Sequence, residues 1–194
     1  MKPLSVPPKT DESTECLPGR TRYLCLLVCV LLVASSLFEL WIMQIDWFRG
    51  EAFQSIYEGY RQYYPELGNY SIGGAGMYIA TLLLDYLNFL PYYASLLLAA
   101  MIFYRFSTSI LWDRLNIRLL KLVSLLLIID ACFPAIRNTL QILSFTSAGK
   151  PLFIAEVGFN AESIRTCIIG LAIYTFSMIL SNAKKLADES KLIV

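Results

Sequence analysis

Histidine is absent from this 194-residue chain. Its absence rules out histidine-ligated metal centres, imidazole acid–base pairs and the side chain that most readily changes charge near neutral pH. Charge is scarce as well: Asp, Glu, Lys and Arg make up 16% of the residues against 57% hydrophobic ones, and the formal net charge is +1. A soluble domain carries about a quarter charged residues, so this balance points away from that class. Basic residues are spread thinly along the chain, with no sequence cluster beyond Lys184 and Lys185, so no nucleic-acid footprint is expected. Catalytic signatures are missing too. There is no P-loop, no GxSxG elbow, no glycine-rich dinucleotide loop and no CxxCH haem site. The expectation is a protein that is not an enzyme and holds no metal or cofactor.

Cysteine is present without a disulfide pattern. Cys25 and Cys29 lie on one helical face of an apolar run, Cys132 and Cys167 lie in other apolar runs, and Cys16 precedes the first of them. These read as small packing residues. The first apolar run contains Glu39 and ends in "ELWIMQIDWF", without the small-residue site of a cleaved signal.

What the chain does have is long apolar blocks, which favour bilayer-spanning helices. Residues 1–20 read as a flexible polar tail and 21–183 as an all-α membrane domain, a bundle of four transmembrane helices. The spans are expected at about 22–43, 76–104, 117–141 and 162–183, with 184–194 as a short tail. Pro91 in the second span is expected to kink or break it. Between the first two spans, Phe53, Ile56, Tyr57, Tyr60, Tyr63, Tyr64 and Leu67 recur at helical spacing, opposite Glu51, Glu58, Arg61 and Gln62. That stretch, 48–64, reads as an extracytoplasmic amphipathic helix that lies on the membrane surface or caps the bundle and stops at Pro65. "GNYSIGGAG" reads as a flexible turn, its Asn69-Tyr70-Ser71 being a short and common glycosylation pattern, and Gly158 as the end of a small helical or re-entrant piece. With both termini on one side, that side gathers Lys2, Lys9, Arg20, Arg22, Arg105, Arg114, Arg118, Lys121, Lys184, Lys185 and Lys191, against Arg49, Arg61, Arg137, Lys150 and Arg165 on the other. The positive-inside rule then puts both termini in the cytoplasm.

Glu39, Asp85, Asp130 and Arg137 fall inside the apolar spans. Charge in hydrocarbon is costly and is paired or put to use. Counting residues from the span ends puts Glu39, Asp85 and Arg137 at one level near the outer end, where Arg137 is expected to pair with one or both acids. Asp130 lies two helical turns deeper, ~10 Å along the axis, with no evident partner. Two readings stay open: a clamp that fixes helix register and docks the outer helix, or a polar cavity for a ligand, ion or proton. Gly170, Ser177 and Ser181 give the fourth span a small-residue packing face.

Three segments carry a family likeness: the aromatic and Arg end of the second span, "MIFYRF" (101–106); the basic lead into the third, "RLNIRLLKLVSLLLI" (114–128); and the tail "NAKKLADESKLIV" (182–194). With this layout the chain resembles the small bacterial four-span membrane proteins grouped as domain-of-unknown-function family 2975. The likeness runs from about residue 20 to the end and implies a multi-pass protein of the bacterial inner (cytoplasmic) membrane. It brings no catalytic or binding residues with it. Members that lie beside small helix-turn-helix regulators point to a regulatory or accessory role. The expected partners are membrane lipids and a membrane protein. The alternative is a small transporter or a ligand or ion sensor built on the charge cluster.

Overall fold

The computed structural model describes residues 18–70, 74–109, 113–147, 151–154 and 160–190. Five α-helices and a short 3-10 turn account for almost all of them: α1 Gly19–Arg49, α2 Glu51–Tyr63, the turn Pro65–Asn69, α3 Ala75–Ser107, α4 Arg114–Thr146 and α5 Ala161–Ser190. Helices α1, α3, α4 and α5 are long and apolar enough to cross a membrane. At 30 to 33 residues each, and ~1.5 Å of rise per residue, they exceed a ~30 Å hydrocarbon layer. Their ends therefore project beyond it, and each expected span lies within a longer helix. The second tail is likewise helical as far as Ser190.

Helices α3 and α4 form the central pair, α1 packs along α3, and α5 packs along α4. The order across the molecule is α1, α3, α4, α5, an open row with apolar side chains exposed along its broad faces. One end, here termed proximal, holds the start of α1, the α3–α4 connection and the end of α5. Arg22 Nε donates to the Ser107 carbonyl at 2.8 Å, covering the end of α3. Arg105 Nε donates to Asn116 Oδ1 at 2.6 Å and the same guanidinium pairs with Asp113. Above this clamp the α3–α4 seam is apolar, with Ile102, Leu119 and Val123 at its centre.

The distal end is capped. Gly50 sits at φ 75°, in the left-handed region where only glycine is free of strain, and it separates α1 from α2. The first helix thus runs through the stretch expected to open the amphipathic helix and stops where a residue without Cβ allows the turn. Tyr57, Leu67 and Phe145 form a buried cluster beneath α2, with Phe53, Ile56, Tyr60, Tyr64 and Met77 around it. The aromatic stripe of α2 therefore packs onto the bundle, except for Tyr63, which is exposed. Pro65 opens the 3-10 turn after α2, and Tyr57 donates its hydroxyl proton to the Leu67 carbonyl at 3.0 Å. Residues 71–73, inside the stretch expected as a flexible turn, and Gly158 lie outside the described residues.

The expected break at Pro91 does not occur. Pro91 and Pro134 both lie inside unbroken helices. A membrane helix tolerates a proline where packing and local adjustment compensate for the missing N–H, and Pro91 is buried. On α5, Asn160 caps the N-terminus, its Oδ1 accepting from the Ser163 N–H at 2.6 Å. Gly170 lies so close to α4 that an added Cβ would stand 3.0 Å from Ile128 Cγ1 and 3.1 Å from the Ser124 carbonyl oxygen. Ser177, two turns on, is fully buried. Ser181, the third residue of the expected small-residue face, is only partly buried.

Gly170→Val should separate α4 from α5 and destabilise the protein by ~1–3 kcal/mol, the usual cost of overpacking. Gly59→Ala, at an exposed helix position with nothing within 4 Å of the added Cβ, should be neutral or slightly stabilising. Thermal denaturation of both variants in one detergent checks the contrast, and equal melting temperatures would remove the argument for a tight α4–α5 seam.

Candidate functional site: a distal polar network and an acidic cavity

The distal end carries a chain of polar side chains that joins four helices. Trp47 Nε1 of α1 donates to Asp85 Oδ2 of α3 at 2.9 Å. Arg137 of α4 pairs with the other carboxylate oxygen of Asp85 at 3.3 Å. The Asp85 side chain is 9% exposed and that of Arg137 25%, so this pair is largely withdrawn from solvent. The Arg137 guanidinium also reaches Asn138 Oδ1 at 3.3 Å. The Tyr60 hydroxyl of α2 lies 2.8 Å from both Asn138 Oδ1 and the Gln141 side-chain oxygen.

A hydroxyl has one proton, so Tyr60 cannot donate to both. The buried Gln141 Nε2 has no hydrogen-bond partner in this orientation of the amide. Turning the amide resolves both problems: Tyr60 then donates to Asn138 and accepts from the Gln141 NH₂. The network reads Trp47, Asp85, Arg137, Asn138, Tyr60, Gln141. The Trp47 backbone is tied as well, its carbonyl accepting from the Tyr78 hydroxyl of α3 at 2.7 Å.

Of the charged residues singled out from the sequence, Asp85 and Arg137 form the expected pair. Glu39 makes no ion pair among the described residues; Ser35 Oγ lies 3.4 Å from one of its carboxylate oxygens. Glu39 does share a cavity with Asp85. This cavity, of about 620 Å³, opens between α1, α2 and α3, and four carboxylates line it: Glu39, Asp46, Glu51 and Asp85. Trp47, Phe89 and Tyr93 supply aromatic wall. Arg137 faces a separate cavity of about 240 Å³ under α2, beside Asn138, Tyr60 and Tyr63. Asp130 lines neither. It is half-buried on α4 and makes no hydrogen bond or ion pair among the described residues, with Glu162 of α5 and Tyr92 of α3 within electrostatic range. No group of three or more metal-ligating residues is close enough to hold an ion among the described residues.

Sequence reasoning did not find Trp47, Tyr60, Asn138 and Gln141 as members of the network, nor Asp46 and Glu51 as walls of the cavity. Asn138 and Gln141 carried a signal. They are polar, three residues apart near the outer end of an apolar span, and thus lie on the same face as the incoming α2. Compared with protein-family models, curated proteins and solved structures, the chain finds no match. Its chemistry therefore rests on its own residues.

Removing one partner of a buried ion pair leaves the other charge unpaired, typically at a cost of ~3–5 kcal/mol, whereas replacing both with apolar groups can be neutral. Arg137→Leu and Asp85→Leu should each destabilise by that order, and the double variant by much less than the sum. A double-mutant cycle on thermal stability checks this. Additive losses would mean that the two side chains act separately.

Proposed function

We propose that this chain is a non-enzymatic accessory or regulatory protein of a bacterial cytoplasmic membrane, with both termini cytoplasmic, and that it acts through a partner protein within the bilayer. The observation that carries this reading is Asp130. Pro134 has no N–H, so the Asp130 carbonyl loses the hydrogen bond that residue 134 would otherwise give it. The Asp130 carboxyl is also without a hydrogen bond or ion pair among the described residues, close to the middle of an apolar helix. An acidic side chain without a partner thus stands inside a span, where an unsatisfied polar group is costly. A donor from a partner helix satisfies it. The open row of helices leaves room for such a helix beside α4.

A second reading has its own observation. Four carboxylates and three aromatic rings line the distal cavity, a combination suited to a cation or an amine. In that reading the protein senses such a ligand, with Arg137 as the counter-charge that α4 gives to Asp85. Transport has less support. Toward the proximal end the α3–α4 seam closes on an apolar cluster of Ile102, Leu119 and Val123.

A tagged protein at native expression level, extracted in mild detergent, should retain a membrane protein in fixed ratio, and Asp130→Asn or Asp130→Leu should release it while the monomer stays folded. Retention of the same partner by both variants, or flux of a cation through liposomes that depends on Asp130, would end the partner reading. In a chain with every native cysteine replaced, Glu58→Cys should react with an impermeant maleimide on intact cells and Thr10→Cys should not. The opposite pattern would invert the orientation.

A further inference from the structure

The proximal end holds a second pair of cavities, on the α4–α5 side, away from the distal network. One is basic. About 340 Å³ in volume, it is lined by Arg114, Arg118 and Lys121 of α4 and by Lys184, Lys185 and Asp188 of α5, with Ile117 and Ser181 between them. Asp188 is the lone acid there. It pairs with Arg114 at 3.6 Å, both side chains being well exposed, a geometry in which exposed pairs contribute little. Arg118, Lys121 and Lys185 add positive charge beyond the Arg114–Asp188 pair, so the pocket is positive. The sequence separates these cations by some sixty residues, and the antiparallel α4–α5 seam brings them together.

The other cavity is a groove of about 670 Å³ that runs between α3 and α5 over α4, walled by Phe103, Phe106, Leu120, Val123, Ile173 and Phe176 among others. Ile117 lines both cavities, and Leu180 of the groove precedes Ser181 of the pocket. The two are therefore continuous. From Asn116 to Val123 the groove descends seven residues along α4, ~10 Å from the charged rim toward the middle of the helices. Cations at the rim of a membrane helix pair, with an apolar trough leading down from them, match an amphiphile with a negative head. Basic pockets between membrane helices take phospholipid headgroups by this charge complementarity.

We propose that this composite site binds an anionic glycerophospholipid, its phosphate held by Lys121, Lys184, Lys185 and Arg118 and its acyl chains lying in the groove between α3 and α5. The trough distinguishes a lipid from a free phosphate, which would occupy the rim alone. The rim distinguishes a bound lipid from the bulk bilayer, which would fill any apolar groove without regard to headgroup. Because the site shares no residue with Asp130 or with the distal network, it stands or falls apart from the partner reading.

The test uses the full chain purified in a neutral detergent. It is titrated with phosphatidylglycerol, phosphatidylcholine or inorganic phosphate, and read by native mass spectrometry and by thermal shift. Phosphatidylglycerol should stay bound and raise the melting temperature, with phosphatidylcholine at least about tenfold weaker and phosphate without effect. Arg118→Gln combined with Lys185→Gln, both at exposed positions, should remove the preference for phosphatidylglycerol while leaving the melting temperature without lipid unchanged. Ala172→Trp, placed in the groove wall at an exposed helix position, should reduce retention of both lipids. Equal binding of the two lipids would overturn the proposal, and so would phosphate competing as well as phosphatidylglycerol. So would an unchanged preference in that double variant, or cross-linking that shows a second copy of the chain seated in the groove.

Discussion

The Asp85–Arg137 pair sets the terms for the distal half of this protein. Two opposite charges withdrawn from solvent inside apolar helices are tolerated only if each finds the other and their remaining hydrogen-bonding capacity is met. Asp85 meets its share through Trp47 of α1, and Arg137 through Asn138, which in turn holds Tyr60 of α2. The pair therefore fixes more than the register of α3 against α4. Through Trp47 it ties down the distal end of α1, and through Asn138 and Tyr60 it holds α2 over the aromatic cluster around Phe145.

The proximal end solves a simpler problem with different chemistry. Its arginines sit at helix ends, where water and carbonyl groups share the charge. Arg22 covers the C-terminus of α3, as a cation does at the negative end of a helix, and Arg105 ties that end to the start of α4. Between the two ends, the α3–α4 seam is apolar and relies on packing.

Much of this was legible in the sequence. Apolar blocks of twenty residues or more reveal membrane helices because lipid admits few other structures. The periodicity of Phe53, Ile56, Tyr57, Tyr60 and Tyr64 marked α2, and a count of residues from the span ends brought Asp85 and Arg137 to one level. The boundaries were less legible, since hydropathy reports the hydrocarbon layer and a helix continues past it until something like Gly50 ends it. Of the kink or break expected at Pro91, the break does not occur, because a membrane helix tolerates proline where its neighbours compensate. Side-chain partners were harder still. That Asp85 takes Arg137 and leaves Glu39 to the cavity depends on which face of α1 meets α3, and α1 is apolar on nearly every side. The five cations of the proximal pocket looked scattered because they lie near in space and far apart in the chain.

Helices α1 and α5 each lean on one long neighbour, so the row resembles a short ribbon whose cohesion is a sum of nearest-neighbour seams. Stability in such an arrangement is local. A defect in the α4–α5 seam weakens the grip on α5 and leaves the α1–α3–α4 part with its clamps intact. The ribbon also has no inside in the sense that a closed bundle does. Both broad faces are wetted by hydrocarbon, and the bilayer itself completes the packing. Lipid composition then becomes part of the protein's solvent and a direct determinant of how firmly its outermost helices are held.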